Sequence, residues 1–133
     1  MIVIDASALV LSLTDAGERG DRVRHLLAGE YRDDQWAGSE HLSVEAAQAI
    51  RGLVLRSRLS EADARQSWTA LAGIRLSVFR GPVVLERIWQ LRHNLSAYDA
   101  AYIAVAENLN APLLTADRRL ASVSGPRCSF VVI

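Results

Sequence analysis

Leu95-Ser96-Ala97-Tyr98-Asp99-Ala100-Ala101-Tyr102-Ile103-Ala104-Val105-Ala106-Glu107, followed closely by Leu113-Leu114-Thr115-Ala116-Asp117-Arg118-Arg119-Leu120, is the stretch whose reading decides the fold. It predicts a helix, a short loop through Asn110 and Pro112, an apolar strand, and an aspartate at the strand's end. Ser96 is a natural N-cap, and Asp99 stands at the spacing of a capping box. Along the helix, Asp99 shares a face with Tyr102, Ile103 and Ala106. A carboxylate on an apolar, inward face needs a partner or a cation, because an unpaired buried charge is very costly. Taken singly, Asp99 and Asp117 read first as a helix start and a turn, the commonest work of aspartate.

Working outward, the N-terminus repeats the arrangement. Met1-Ile2-Val3-Ile4 is a continuous apolar run ending in Asp5, and Ala6-Ser7-Ala8-Leu9-Val10 opens a helix. A short, wholly apolar strand is what a parallel strand buried on both faces looks like. Asp5 therefore falls at the carboxyl end of a strand, where open α/β sheets gather their ligands. Gly17 and Gly20 bracket a turn before a helix from Asp21 to Ala28, and Trp36-Ala37 reads as a very short strand. Gly38-Ser39 leads into a long helix, Glu40 to Ser57, with Leu42, Ala46, Ala49, Ile50, Leu53 and Val54 at helical spacing. Glu45 sits at the edge of that buried stripe.

Ser60 starts a further helix with Glu61 and Asp63 in its first turn, Trp68 and Leu71 on its inner side, and Gly73 at its end. Ile74-Arg75-Leu76-Ser77-Val78-Phe79 alternates as an edge strand does. Pro82 opens a helix through Leu91, and Gly125-Pro126 turns the chain into the apolar strand Ser129 to Ile133. The expected fold is one α/β domain over residues 1–133. It has a mostly parallel sheet of about five strands, with helices on both faces in three layers.

Composition narrows the chemistry. Lys+Arg and Asp+Glu number 15 each, so net charge argues neither for nor against a nucleic-acid partner. Every basic residue is arginine, whose fork suits phosphate and carboxylate. The single Cys128 leaves no internal disulfide and no cysteine metal cluster. His25, His41 and His93 lack the spacing of a zinc site. No apolar run is long enough for a membrane span, and Asp5 interrupts the first apolar run before it reaches the length of a signal-peptide core, so a cytoplasmic protein is expected. Leu9, Leu13, Leu26, Leu27, Val54 and Leu55 exceed what one small core obviously requires, which points to dimer or partner surface.

The strand-end aspartates Asp5 and Asp117 should open at the same sheet edge. The helix carrying Asp99 begins there too, and Glu45 lies near the beginning of its own helix. Four carboxylates at one edge repel unless cations sit between them. With oxygen ligands alone, Mg2+ or Mn2+ is the natural fit, and such a cluster suits cleavage of phosphoryl esters. Arg118 and Arg119 stand ready for substrate phosphates. Helical spacing places Trp68 and Trp89 in the core or an interface rather than against bases.

Ile2-Val3-Ile4-Asp5-Ala6-Ser7-Ala8, Glu40-His41-Leu42-Ser43-Val44-Glu45, Ser96-Ala97-Tyr98-Asp99-Ala100-Ala101-Tyr102 and Leu114-Thr115-Ala116-Asp117-Arg118-Arg119-Leu120 together resemble the ordered signatures of PIN-domain ribonucleases. More narrowly, the chain resembles the VapC-type toxins of bacterial toxin–antitoxin pairs. Where that family usually has proline before the glutamate helix, this chain has Ser39. Where it often has asparagine three residues after the glutamate, this chain has Gln48.

The resemblance implies that Asp5, Glu45, Asp99 and Asp117 hold Mg2+ or Mn2+, with the hydroxyls of Ser7 and Thr115 in support. It implies an endoribonuclease acting on single-stranded or looped RNA (tRNA, rRNA or mRNA). Metal-activated water would attack phosphorus in line, leaving a 5′-phosphate and a 3′-hydroxyl. It further implies a homodimer and a cognate VapB-type antitoxin that inserts a segment into the toxin's groove. Two other classes stay in view. A metal-dependent phosphatase needs a second acid two residues after its nucleophilic Asp, where this chain has Ser7. A PIN fold kept for protein contacts alone would bind no Mn2+.

Overall fold

In the computed structural model, which describes residues 1–133, the apolar strand Ile2–Ile4 (β1) lies at the centre of a five-stranded sheet. The chain continues through α1 (Ala6–Thr14), α2 (Glu18–Ala28), β2 (Trp36–Ser39), α3 (Leu42–Leu55), α4 (Glu61–Gly73) and β3 (Ser77–Phe79). It ends with α5 (Pro82–Leu91), α6 (Ala97–Leu109), β4 (Leu113–Thr115), α7 (Arg118–Ser122) and β5 (Phe130–Val132). The strand order is β3-β2-β1-β4-β5, and every pairing is parallel. β1 and β4 are buried at every residue, the burial that continuous apolar runs lead one to expect of central strands. Helices cover both faces, giving the expected three-layer α/β fold.

The strand order positions the site. From β1 the chain first builds outward through β2 to β3, then returns to β1's other side with β4 and β5. The reversal lies between β1 and β4, where Ile4 pairs with Leu114, so Asp5 and Asp117 leave the sheet at the same edge beside the switch point. α6 packs against α5 and against β1, β2 and β4, and is buried without a break from Ala100 to Ala106. A helix buried on nearly every side must be apolar all round, and its alanines let neighbours approach closely.

Several expected boundaries move for local reasons. α2 starts at Glu18 rather than Asp21 because Asp15 accepts from the amides of Gly17 and Gly20 at 3.2 and 2.7 Å. Gly20 thus lies inside the helix, and a Cβ there would meet the Asp15 carbonyl oxygen at 2.0 Å. α3 starts at Leu42 rather than Glu40, since Gly38 and Ser39 are held in β2 by pairing with Val78 and Phe79. β3 is shorter than expected and sits at the sheet's edge.

Trp68 does not face inward. It is 55% exposed, while Ala64 and Ser67 take the inner side of α4 and Ser67 Oγ donates to the Leu13 carbonyl at 2.9 Å. Trp89 is likewise outside the core, 63% exposed, with the Arg92 guanidinium 4.3 Å from its ring centroid. Of the six apolar residues read as surplus, Leu9 and Leu27 are core, and Leu13, Leu26 and Val54 pack partly against it. Only Leu55 among them is exposed; the rest of the outlying apolar surface includes Val44, Trp68, Val78, Val83, Leu85, Trp89 and Tyr98.

Candidate metal centre

Asp5 caps α1, and its side chain is fixed from two directions. Oδ1 accepts from Ser7 Oγ at 2.6 Å and from the Ala8 amide at 2.9 Å. Ser7 Oγ in turn accepts from the Ala116 amide at 2.9 Å and stands 3.4 Å from Thr115 Oγ1. Thr115, fully buried, accepts from the Asp117 amide at 3.0 Å. The two hydroxyls thereby stitch the end of β1 to the end of β4. Asp5 itself is 4% exposed. Burial pushes its carboxyl above the ordinary value, the Ser7, Thr115 and Ala8 donors pull it back, and the Glu45 charge raises it further.

The other three acids each take a partner of their own. Glu45, in the first turn of α3, accepts from Tyr102 Oη at 2.7 Å and lies 3.4 Å from His41 Nε2 through the same oxygen, Oε2. Asp99 Oδ2 accepts from Ser96 Oγ at 2.9 Å, and Ser96 Oγ accepts from the Asp99 amide at 3.1 Å. Asp117 caps α7 and binds Arg119 three times: the amide at 2.9 Å, Nε at 3.3 Å and a terminal nitrogen at 3.2 Å. That guanidinium holds the Asp117 carboxyl below the ordinary range, and the Asp99 charge also acts on Arg119. Arg118 is exposed beside it.

The expected convergence is therefore looser than four acids around one point. No three His, Cys, Asp or Glu side chains stand close enough to share a metal ion. Like charges separate when each can find a nearer donor, and every one of these four has one. The donor chemistry nevertheless fits a hard divalent cation, being carboxylate and hydroxyl oxygen throughout. Asp5 is the sharpest case: a deeply buried carboxylate served by hydroxyls and an amide, with no cationic side chain on it. The Glu45 charge acts on Asp5, Asp117 is tied to the Asp5 loop through Ser7 and Thr115, and the Asp99 charge acts on Arg119.

Sequence reasoning missed three polar side chains here: Ser39, His41 and Tyr102. His41 and Glu45 stand four residues apart on one helix face, a spacing that signals contact. Tyr102 was read only as part of an apolar stripe, and nothing in the pattern announced its hydroxyl's partner on another helix.

The chain matches the PIN domain family over residues 2–126. It is 43% identical to ribonuclease VapC9 of Mycobacterium tuberculosis over 139 aligned positions, spanning 100% of this chain and 98% of that one. Among solved structures it resembles PAE2754 of Pyrobaculum aerophilum, with a TM-score of 0.71, 22% identity, and 98% and 89% of the two chains covered. It also resembles a chain of VapBC2 from Rickettsia felis bound to a DNA fragment from their promoter. There the TM-score is 0.68 at 15% identity, covering 100% and 99%. These structural likenesses bear on the fold.

Proposed function

The chain belongs to the PIN domain family and, within it, to the VapC ribonucleases, and on that premise we propose that it is a Mg2+- or Mn2+-dependent endoribonuclease toxin. The observation that carries the reading is Asp5: a carboxyl group buried at the sheet's switch point, accepting from a hydroxyl and an amide, with no cationic side chain on it and the Glu45 charge acting on it. Asp5, Asp99, Asp117 and Glu45 are the residues that would hold the cation. A divalent ion bound there supplies an activated water and charge stabilisation for the leaving oxygen. Ser7 and Thr115 fix Asp5 and the loop into Asp117, so the acids stay in place while substrate comes and goes. Arg118 and Arg119 offer forks to the phosphates flanking the scissile bond. Water adds to phosphorus, the bond to the 3′-oxygen breaks, and that oxygen takes a proton. The products are a 5′-phosphate and a 3′-hydroxyl.

The substrate is single-stranded or looped RNA, and a VapB-type antitoxin neutralises the enzyme. The Rickettsia felis neighbour, a VapBC assembly, supports such a partner. The test is sequencing of 5′-phosphate RNA ends after induced expression, alone and with the antitoxin gene. Asp5→Asn and Asp99→Asn should each lower cleavage by more than the roughly ten- to hundredfold typical of residues one step removed from a metal. Wild-type cleavage by either folded variant removes that residue from the site. A folded parent that takes up no Mn2+ in calorimetry points instead to a PIN fold used for binding alone.

A further inference from the structure

Behind Glu45 lies a polar network that none of the four acids' roles accounts for. Tyr102 is 2% exposed, yet its hydroxyl crosses from α6 to α3 and donates to Glu45 Oε2 at 2.7 Å. His41 Nε2 faces the same oxygen at 3.4 Å from one turn before. His41 is itself held: Ser39 Oγ lies 3.1 Å from Nδ1, and the ring packs on Tyr102 at 4.9 Å and on Tyr98 at 5.3 Å between centroids. Ser39 is 2% exposed and lies at the end of β2. With the Nε2 proton directed at Glu45, Nδ1 is free to accept the Ser39 hydroxyl proton, so one tautomer satisfies both contacts.

Both contacts fall on Oε2, and Oε1 has no partner in the protein. A surface glutamate samples many rotamers and loses their entropy whenever it must hold one geometry. Here a buried phenol and a braced imidazole have already selected one. We propose that Tyr102 and His41, the latter braced by Ser39, are positioning residues that hold Glu45 by one oxygen and keep the other available to the divalent cation. The inference rests on the metal-dependent reading above. It concerns residues that do not touch substrate or metal themselves, and it assigns Ser39, His41 and Tyr102 a role in that site.

The test measures Mn2+ binding by calorimetry on the full-length chain, beside cleavage kinetics on an RNA oligonucleotide. Tyr102→Phe keeps the ring's packing and removes the hydroxyl. It should weaken Mn2+ binding about tenfold and lower kcat similarly, with the KM for RNA unchanged. Ser39→Ala should do the same to a smaller extent by releasing His41. The decisive arm is the double variant: in a Glu45→Gln background, Tyr102→Phe should weaken Mn2+ binding no further, because its effect runs through the carboxylate. Circular dichroism on each variant confirms the fold. A folded Tyr102→Phe with parental Mn2+ affinity and kcat overturns the inference while leaving the metal-dependent reading intact. So does an undiminished loss in the Glu45→Gln background. A parent that binds no Mn2+ overturns both.

Discussion

At Asp5 one oxygen both caps α1 and belongs to the carboxylate that burial disfavours as an anion. A carboxyl raised in the folded state contributes stability that is fully present below its unfolded value and lost as pH rises through the folded one. Asparagine keeps the cap, since it serves there about as well as aspartate, and carries no charge. In chelator, Asp5→Asn should therefore melt above the parent at pH 7, by roughly 1 kcal/mol or about 3 °C. The gap should close as the pH falls below the ordinary aspartate range. Thermal melts across pH check this, and a gap that ignores pH would trace the effect to packing rather than charge. The sequence disclosed Asp5, Asp99 and Asp117 through their places at strand ends and a helix start. It disclosed less about Glu45, whose setting depends on Ser39, where the family usually has proline, and on Tyr102 from another helix. Local spacing reports caps and faces; it carries no record of which side chain crosses to meet which.

Between elements, the most deeply buried ion pair is the one Arg87 on α5 makes with α6. Its guanidinium donates to Glu107 on α6 through Nε at 2.6 Å and a terminal nitrogen at 3.1 Å, and to the Gly125 carbonyl at 2.8 Å. Glu107 also accepts from the Arg127 amide at 2.7 Å. Burial alone would raise the Glu107 carboxyl, but Arg87 and the Arg127 amide outweigh it and hold it below the ordinary range. Such a group contributes stability present above its unfolded value and lost as pH falls through its folded one. Arg87→Met leaves a half-buried carboxylate without its cation and should cost about 3 kcal/mol, near 10 °C, at pH 7. The deficit should narrow in acid, where the parent loses the pair as well, and equal melts at pH 7 would show the clamp to be idle. Elements with strong periodicity, such as α5 and α6, were legible almost to the residue. The boundaries that moved, at α2, α3 and β3, are those set by partners distant in the chain or by a side chain's turn chemistry. Trp68 was misplaced for a related reason: a large aromatic at helical spacing faces the core only if the opposing surface leaves room, and there Ala64 and Ser67 fill it.

Over the whole molecule, the apolar side chains left outside are not scattered evenly. Leu85 and Trp89 stand four residues apart on α5, and Leu85 shares a cavity of about 520 Å³ with Tyr98, next to Asp99 in the chain, and with His41. A chain with equal numbers of acidic and basic residues has no net repulsion to keep such faces apart. The homodimer that the family resemblance implies is expected to cover this face, bringing two acidic edges into neighbourhood. The parent should then scatter light as twice the 14.6 kDa of one chain. The double variant Leu85→Glu/Trp89→Glu places two charges where apolar contact is needed and should run as a folded monomer, since both side chains lie outside the core. If the antitoxin covers this face instead, the variant keeps the parent's mass alone and fails to copurify with antitoxin. Parental mass and full antitoxin capture by the variant would show that neither partner uses α5. The contacts would then have to be sought at Val44 and Leu55 on α3 and Trp68 on α4, which are also exposed.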